Sequence, residues 1–270
     1  MRCFLIVVFV CCLAVPARLS AQTAAECVVH GDTLRNHYEF DKAIAAYTQA
    51  LAVANPNDPK EKETIFLAYR DRGDTWNIEG EHDKAIADFN RALAIHPKDA
   101  LTYSIRGGAW ASKGEHDKAI ADYSKSLEID MSDGESYIER GDEWYYAKGE
   151  FGKAIADYAK AAEINPGNVL AYYRLGEIYA TCPDAKYRDG KKAVENATKA
   201  YELDVGDEAG DCGMLDAIAA AYAESGDFAK AREFQEKAID SASDSYLPDY
   251  RSRLELYKQG KPFHRQPVKK

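Results

Sequence analysis

The sequence predicts an all-α solenoid of stacked helix–turn–helix units, and three observations carry that prediction. The stretch GEHDKAIAD runs from Gly80 to Asp88 and again from Gly114 to Asp122, letter for letter and 34 residues apart, with a near-copy, GEFGKAIAD, from Gly149. The eighth position of the unit reads Gly31, Gly73, Gly107, Gly141, Gly176 and Ala219, and the twentieth reads Ala43, Ala85, Ala119, Ala154, Ala193 and Ala231. Bulky residues fall between these small ones at helical spacing. A two-helix unit of this length cannot bury its apolar face alone, so tandem copies stack to make one continuous core.

The register yields six units, at 24–57, 66–99, 100–133, 134–168, 169–206 and 212–245. Three additions break the spacing: residues 58–65, one residue between Trp144 and Gly149, and the segment Thr181 to Gly190. Loops are expected to absorb them at small entropic cost. A capping helix over 246–260 follows, with Pro248 at its start, Tyr250, Leu254 and Tyr257 on one face and Gly260 as its stop. Residues 261–270 read as a flexible, solvated basic tail.

Unit five opens with YYRLGEIY, Tyr172 to Tyr179, and Pro56, Pro97 and Pro166 close second helices. In this pattern of an aromatic, Leu-Gly, Tyr, Ala, an aromatic and a late Pro, the chain resembles the tetratricopeptide repeat (TPR) family. The resemblance implies a TPR solenoid, a right-handed superhelix whose first helices line a concave face. The last unit and the closing RLELYKQGKPF look like the terminal module of exported bacterial members.

The amino terminus is of another kind. Met1-Arg2, an apolar run from Cys3 to Val15 and the small-residue site Leu19-Ser20-Ala21 read as a secretory signal peptide over 1–21, cleaved after Ala21. The run is about 13 residues, short of the roughly 20 that span a bilayer, and an uncleaved anchor is the competing reading. The expected destination is export to the periplasm, the cell envelope or the medium, with no membrane span after cleavage. Cleavage removes Arg2 and Arg18 and no acid, which deepens the net charge from −10 to −12. A chain this acidic, with no basic stripe, is not expected to bind nucleic acid. Three cysteines remain, Cys27, Cys182 and Cys212. Cys27 replaces a repeated tyrosine and reads as a small buried hydrophobe, while a bridge between Cys182 and Cys212 is an open alternative to free thiols.

Enzyme chemistry finds no footing. There is no glycine-rich phosphate loop, GxSxG, HExxH or CxxC, and no cofactor or metal is implied. His82 and His116 recur where other units carry Phe151 and Phe228, and Trp76, Trp110 and Trp144 share the eleventh position, which packs the two helices of a unit.

Charge follows the register too. The seventh position is Arg72, Arg106 and Arg140 in units two to four, and in those units the twenty-third is Asp88, Asp122 and Asp157; elsewhere both change together. Bidentate Arg–Asp pairs that fix the register between apolar faces are expected. The resemblance aims positions two, five, six, nine, twelve and thirteen into the hollow. These hold Asp32, Asp71, Asp74, Glu135, Glu139, Asp142, Glu177, Asp216 and Glu224 against Arg35, Arg70 and Arg174. Tyr145, Tyr146 and Tyr173 lie at or beside the same face. The Lys, Asn and Arg set with which some family members clamp chaperone tails is absent: Val28, Val29 and Asp32, then Arg70, Asp71 and Asp74, then Ser104, Ile105 and Gly108 occupy those places. The reading is a non-enzymatic scaffold or adaptor that holds a basic or mixed peptide segment in an acidic concave groove. Two alternatives are an ordinary solvated face and an architectural subunit of an envelope complex that meets partners by its edges or ends. Neither the partner nor the oligomeric state is fixed by the sequence.

Overall fold

A computed structural model of the protein describes residues 22–204 and 212–267. Residues 1–21, which hold the expected signal peptide, lie outside the described residues, as do 205–211, with the predicted end of the fifth unit, and 268–270. Helices follow one another in pairs: α1 (Ala24–Asn36) with α2 (Phe40–Val53), α3 (Lys62–Ile78) with α4 (His82–Ile95), and α5 (Ala100–Ser112) with α6 (His116–Ile129). Then come α7 (Gly134–Asp142) with α8 (Phe151–Ile164), α9 (Val169–Thr181) with α10 (Gly190–Leu203), α11 (Cys212–Glu224) with α12 (Phe228–Ser241), and a single α13 (Leu247–Lys258). Each pair packs internally and against the first helix of the next, and α13 closes the stack on α12. The described residues contain no strand. The solenoid is all-α.

Local chemistry sets the helix starts. Thr23 and Glu26 form a reciprocal capping box at α1, and Asp99, Asp133, Asn168 and Asp227 accept backbone N–H groups at the starts of α5, α7, α9 and α12. Each such cap contributes about 1 kcal/mol. The turn between paired helices needs a left-handed residue, supplied by Gly80 (φ 79°), Gly114 (φ 75°) and Gly149 (φ 65°). In the first pair Tyr38 takes that place at φ 61°, with its side chain exposed.

The pairs close on a ring laid over a glycine. Tyr47, Phe89, Tyr123 and Tyr158 on the second helices are all but fully buried. A methyl group added to Gly31, Gly73, Gly107 or Gly141 would meet the corresponding ring at 2.5, 2.8, 2.9 or 2.6 Å. The alanines at 43, 85, 119, 154, 193 and 231 are fully buried beside them. Trp76, Trp110 and Trp144 are half-buried, not full core, and the ammonium groups of Lys84, Lys118 and Lys153 cover their outer faces at 4.3, 4.4 and 4.1 Å from the ring centroids.

Arginine ties the stack together from one pair to the next. Arg72 Nε and Nη2 donate to the two carboxylate oxygens of Asp88 at 2.7 and 2.9 Å, Arg106 to Asp122 at 2.7 and 2.7 Å, and Arg140 to Asp157 at 2.8 and 2.7 Å. The aspartates are buried, at 2 to 7% exposure, which makes their charge costly unless paired. The third nitrogen, Nη1, reaches back to the second helix of the preceding pair: to Thr48 at 2.9 Å, Asn90 at 2.6 Å and Ser124 at 3.0 Å. Tyr69, Tyr103 and Tyr137 lie under the three guanidinium groups. Each arginine therefore joins three helices.

The additions are absorbed in unlike ways. The extra residue after Trp144 does not enter a loop; it widens the end of α7 into a π-helical turn, Glu143–Lys148. Residues 181–190 form a turn of 3-10 helix, Ala185–Tyr187, whose Tyr187 packs on Phe151 at 6.0 Å between centroids. Helix α3 starts at Lys62, so part of the 58–65 addition is helical. The basic tail departs furthest from expectation. As far as Pro267 it is laid along the inner side of the last two pairs: Phe263 packs on Tyr257 and neighbouring alanines, and the Arg265 N–H donates to the Thr181 carbonyl at 2.9 Å. All three cysteines described are free thiols; Cys27 and Cys182 are buried, and Cys212 accepts from the Tyr250 hydroxyl at 3.9 Å in place of a bridge.

Two outcomes follow for stability. Tyr38→Gly is expected to raise unfolding free energy by about 0.5–1 kcal/mol in urea titration, because glycine removes the left-handed penalty and an exposed ring loses little packing. Asp122→Leu alone is expected to cost about 3 kcal/mol by leaving the Arg106 guanidinium unpaired. Arg106→Leu combined with Asp122→Leu should cost clearly less than the two singles together. Additive costs would show that the two side chains do not couple.

Candidate functional site

The first helices draw together on one side of the stack, α1 on α3, α3 on α5 and α9 on α11, and their outward residues line a hollow. At its amino-terminal end Asp32 accepts the Tyr47 hydroxyl at 2.7 Å, so the ring that fills the core also presents its oxygen to the face. Asp71 is buried and takes Arg70 Nε at 2.9 Å, while Asp74 pairs across helices with Arg35 at 3.0 Å. Burial pushes both carboxyls above the ordinary carboxylate range.

Helix α7 supplies the middle. Glu135 and Glu139 face solvent within the hollow, and Asp142 accepts the Tyr158 hydroxyl at 2.7 Å and Arg174 Nη2 at 3.0 Å. Desolvation by the walls, then the charge of Asp142, raises the Glu139 carboxyl; Glu135 and Glu143 add to this. The Tyr123 hydroxyl, 3.4 Å away, donates a hydrogen bond to Glu139. Among the described residues no lysine, arginine or histidine stands within 4.0 Å of Asp32, Glu135 or Glu139.

The carboxy-terminal end has a different character, because every acid there carries a cation from elsewhere in the chain. Glu177 is buried at 6% exposure, accepts the Tyr146 hydroxyl at 2.9 Å, and pairs with Arg174 at 3.3 Å and with Arg265 of the tail. Asp216, also buried, holds Arg253 of α13 and accepts from Gln235 at 2.9 Å. Glu224 takes Arg188 at 3.1 Å and His264 at 2.7 Å. Arg188, Arg253, His264 and Arg265 belong to the inserted turn, the capping helix and the tail, outside the repeat positions on which the sequence reading rested. For His264 and Arg265 the advance signal is the basic charge of the closing segment; Arg188 and Arg253 have none.

The π-helical turn settles the two adjoining tyrosines. It turns Tyr146 into the hollow, 40% exposed, and Tyr145 away from it, 3% exposed, with ring centroids 4.6 Å apart. Tyr145 is a wall residue behind the face rather than part of its surface, and burial pushes its hydroxyl up to about 12. Tyr173 is half-buried beside the Arg174 guanidinium, its hydroxyl also pushed up to about 12 by burial. The Arg–Asp pairs at 72 and 88, 106 and 122, and 140 and 157 belong to the scaffold and leave the hollow to other side chains.

Among the described residues no cluster of three or more His, Cys, Asp or Glu has the arrangement to hold a metal ion, and no helix is long and apolar enough to cross a membrane. What the hollow offers is charge, hydroxyls and aromatic edges spread over several helices, the chemistry of an extended contact surface.

The same arrangement of helices recurs in known proteins. The sequence matches tetratricopeptide repeat models over residues 28–100, 79–134 and 214–245, and a TPR repeat model over 144–181. No curated protein matches the chain. Among solved structures, MamA is 28% identical, with 64% of this chain and 93% of that chain covered at a TM-score of 0.53. YrrB, described as a TPR protein with an unusual peptide-binding site, is 21% identical over 68% of this chain and 87% of its own, with a TM-score of 0.52. A tetratricopeptide repeat protein from Parabacteroides merdae ATCC 43184 reaches a TM-score of 0.66 at 18% identity, covering 88% of this chain and 87% of that one. With repeat models matched along most of its solenoid and the same stacked pairs in its structural neighbours, the chain belongs to the tetratricopeptide repeat family.

Proposed function

We propose that the protein is a non-catalytic interaction scaffold that holds a basic or mixed extended segment against its acidic concave face, in an exported setting such as the periplasm or cell envelope. The carrying observation is the set of carboxylates in the hollow, Asp32, Glu135 and Glu139 beside Asp142, that have no cation within 4.0 Å among the described residues. Desolvation, and after it the like charge of Asp142, already press the Glu139 carboxyl toward its neutral form, and an incoming guanidinium or ammonium group would relieve the repulsive part. The peptide-binding site ascribed to YrrB supports the class of ligand, and the apolar amino-terminal run with its small-residue site supports the compartment.

The test is anisotropy of a labelled peptide of alternating arginine and alanine. Binding should weaken steeply between about 50 and about 500 mM salt, as screening shortens the reach of the field. Glu135→Lys with Glu139→Lys should weaken it by roughly tenfold or more, since exposed side chains can be reversed without disturbing the core. Asp71, Asp74 and Glu139 have raised carboxyl pKa values, so they lose charge as pH falls through those values, before ordinary carboxylates do. Affinity should therefore drop as the solution is acidified from about pH 7 toward the ordinary carboxylate range at about pH 4. Binding that ignores salt and both substitutions would favour the architectural reading, with partners met at the edges or ends.

A further inference from the structure

The carboxy-terminal end of the hollow is already filled, and the filler has the properties of a ligand. Gly260, at φ 68°, turns the chain out of α13, and the Lys261 N–H closes that turn on the Leu256 carbonyl at 3.0 Å. Phe263 then settles in an apolar seat with the Arg253 guanidinium 4.3 Å from its ring centroid. Two residues on, Arg265 places its guanidinium on Glu177 and 5.7 Å from the Tyr146 ring, while its backbone N–H bonds the end of α9. His264, between them, sits 2.7 Å from Glu224. An aromatic seat, a carboxylate and a main-chain acceptor in sequence are the means by which an extended peptide is read.

We propose that residues 263–265 are an intramolecular stand-in, and that the site they occupy recognises in a partner protein an extended segment with an arginine two residues after an aromatic. This rests on the reading of the hollow as a groove for basic segments, and it names the motif and the means of regulation. The receptor is built rather than incidental. Glu177 is buried, and its carboxylate is shared by Tyr146, Arg174 and the tail arginine. The tail also fits imperfectly. Beside it lies a cavity of about 390 Å³ walled by Tyr145, Phe151 and Pro183 and edged by Arg265 and Gln266. Tyr145 is 3% exposed, and among the described residues its hydroxyl makes no hydrogen bond of 3.5 Å or shorter. A partner with an apolar side chain after its arginine matches the apolar wall of Tyr145, Phe151 and Pro183 better than the exposed Gln266 does. That surplus is what an outside segment needs to displace a tethered one, whose effective concentration is on the order of millimolar.

The probe is a labelled decapeptide of residues 261–270, KPFHRQPVKK, titrated by anisotropy into the full chain and into the full chain carrying Phe263→Ala with Arg265→Ala, whose helicity and melting are checked by circular dichroism. The double variant should bind the probe at least tenfold more tightly than the unaltered chain, because its own tail no longer competes. The probe with Arg265→Ala, which needs no change to the protein, should lose at least tenfold on the double variant, and the probe with Gln266→Leu should gain. Equal affinity for the two chains overturns the proposal, and so does equal binding of a scrambled probe of the same composition. In the scrambled case the groove's general preference for basic segments survives. Conversely, tight, sequence-dependent binding that ignores Glu135→Lys with Glu139→Lys keeps this site and removes the broader groove. A concentration-dependent dimer of the unaltered chain, abolished by Arg265→Glu in light scattering, would assign the occupant to a second copy and overturn the assignment to a partner protein.

Discussion

The first four pairs are spaced by the contact between an aromatic ring on the second helix and a glycine on the first, and in the fifth Gly176 lies against the backbone of Ala197 instead. Tyr47, Phe89, Tyr123 and Tyr158 lie where a single added methyl group would collide, so the two helices of a pair are held as close as backbones allow. The same rings connect the core to the face. Tyr47 and Tyr158 carry their hydroxyls through to Asp32 and Asp142, where the donated hydrogen bonds orient two carboxylates of the hollow. Phe89, which has no hydroxyl, fills the core without reaching the face.

Close spacing alone would let pairs slide on one another, since the faces between them are largely alanine and aromatic. The arginines of the second to fourth pairs remove that freedom. A guanidinium held by two oxygens of one buried carboxylate and by a side-chain oxygen of the preceding pair has one satisfactory position, so translation by a turn would strand a buried charge. The charge pattern of the hollow then follows from the register, because residues five and nine of each unit can face inward only if the pairs stack in phase.

Much of this was visible in the letters. A repeat of 34 residues, six small residues at each of two positions, and Arg and Asp that change together are features a reader can count, and the helices form at these spacings. The parts that were not legible have physical reasons. One residue inserted after Trp144 rotates whatever follows by a large fraction of a helical turn, and the letters do not say whether a loop or the helix takes up the rotation. Here the helix widened, and Tyr146 came to the surface of the hollow while Tyr145 was buried beside it. The tail is not legible for another cause. Charge that reads as solvated in isolation found Glu177, 88 residues upstream, a partner that no local pattern announces. The third contact of each clamp, to Thr48, Asn90 or Ser124, is hidden because those residues share only an oxygen acceptor, not a residue type.

The clamps are also unevenly placed, and this has a mechanical consequence. The second, third and fourth pairs are each riveted to the one before by a repeated guanidinium clamp, whereas the pairs nearer the carboxy terminus meet through alanine-rich surfaces such as Ala193, Ala197 and Ala221 and are tied by ion pairs to the inserted turn, the capping helix and the tail. A spring built this way bends where its ties come from outside the repeats and can be released. Load applied along the superhelix would open the distal coils first, near the inserted turn and the last pairs, while the midsection kept its pitch.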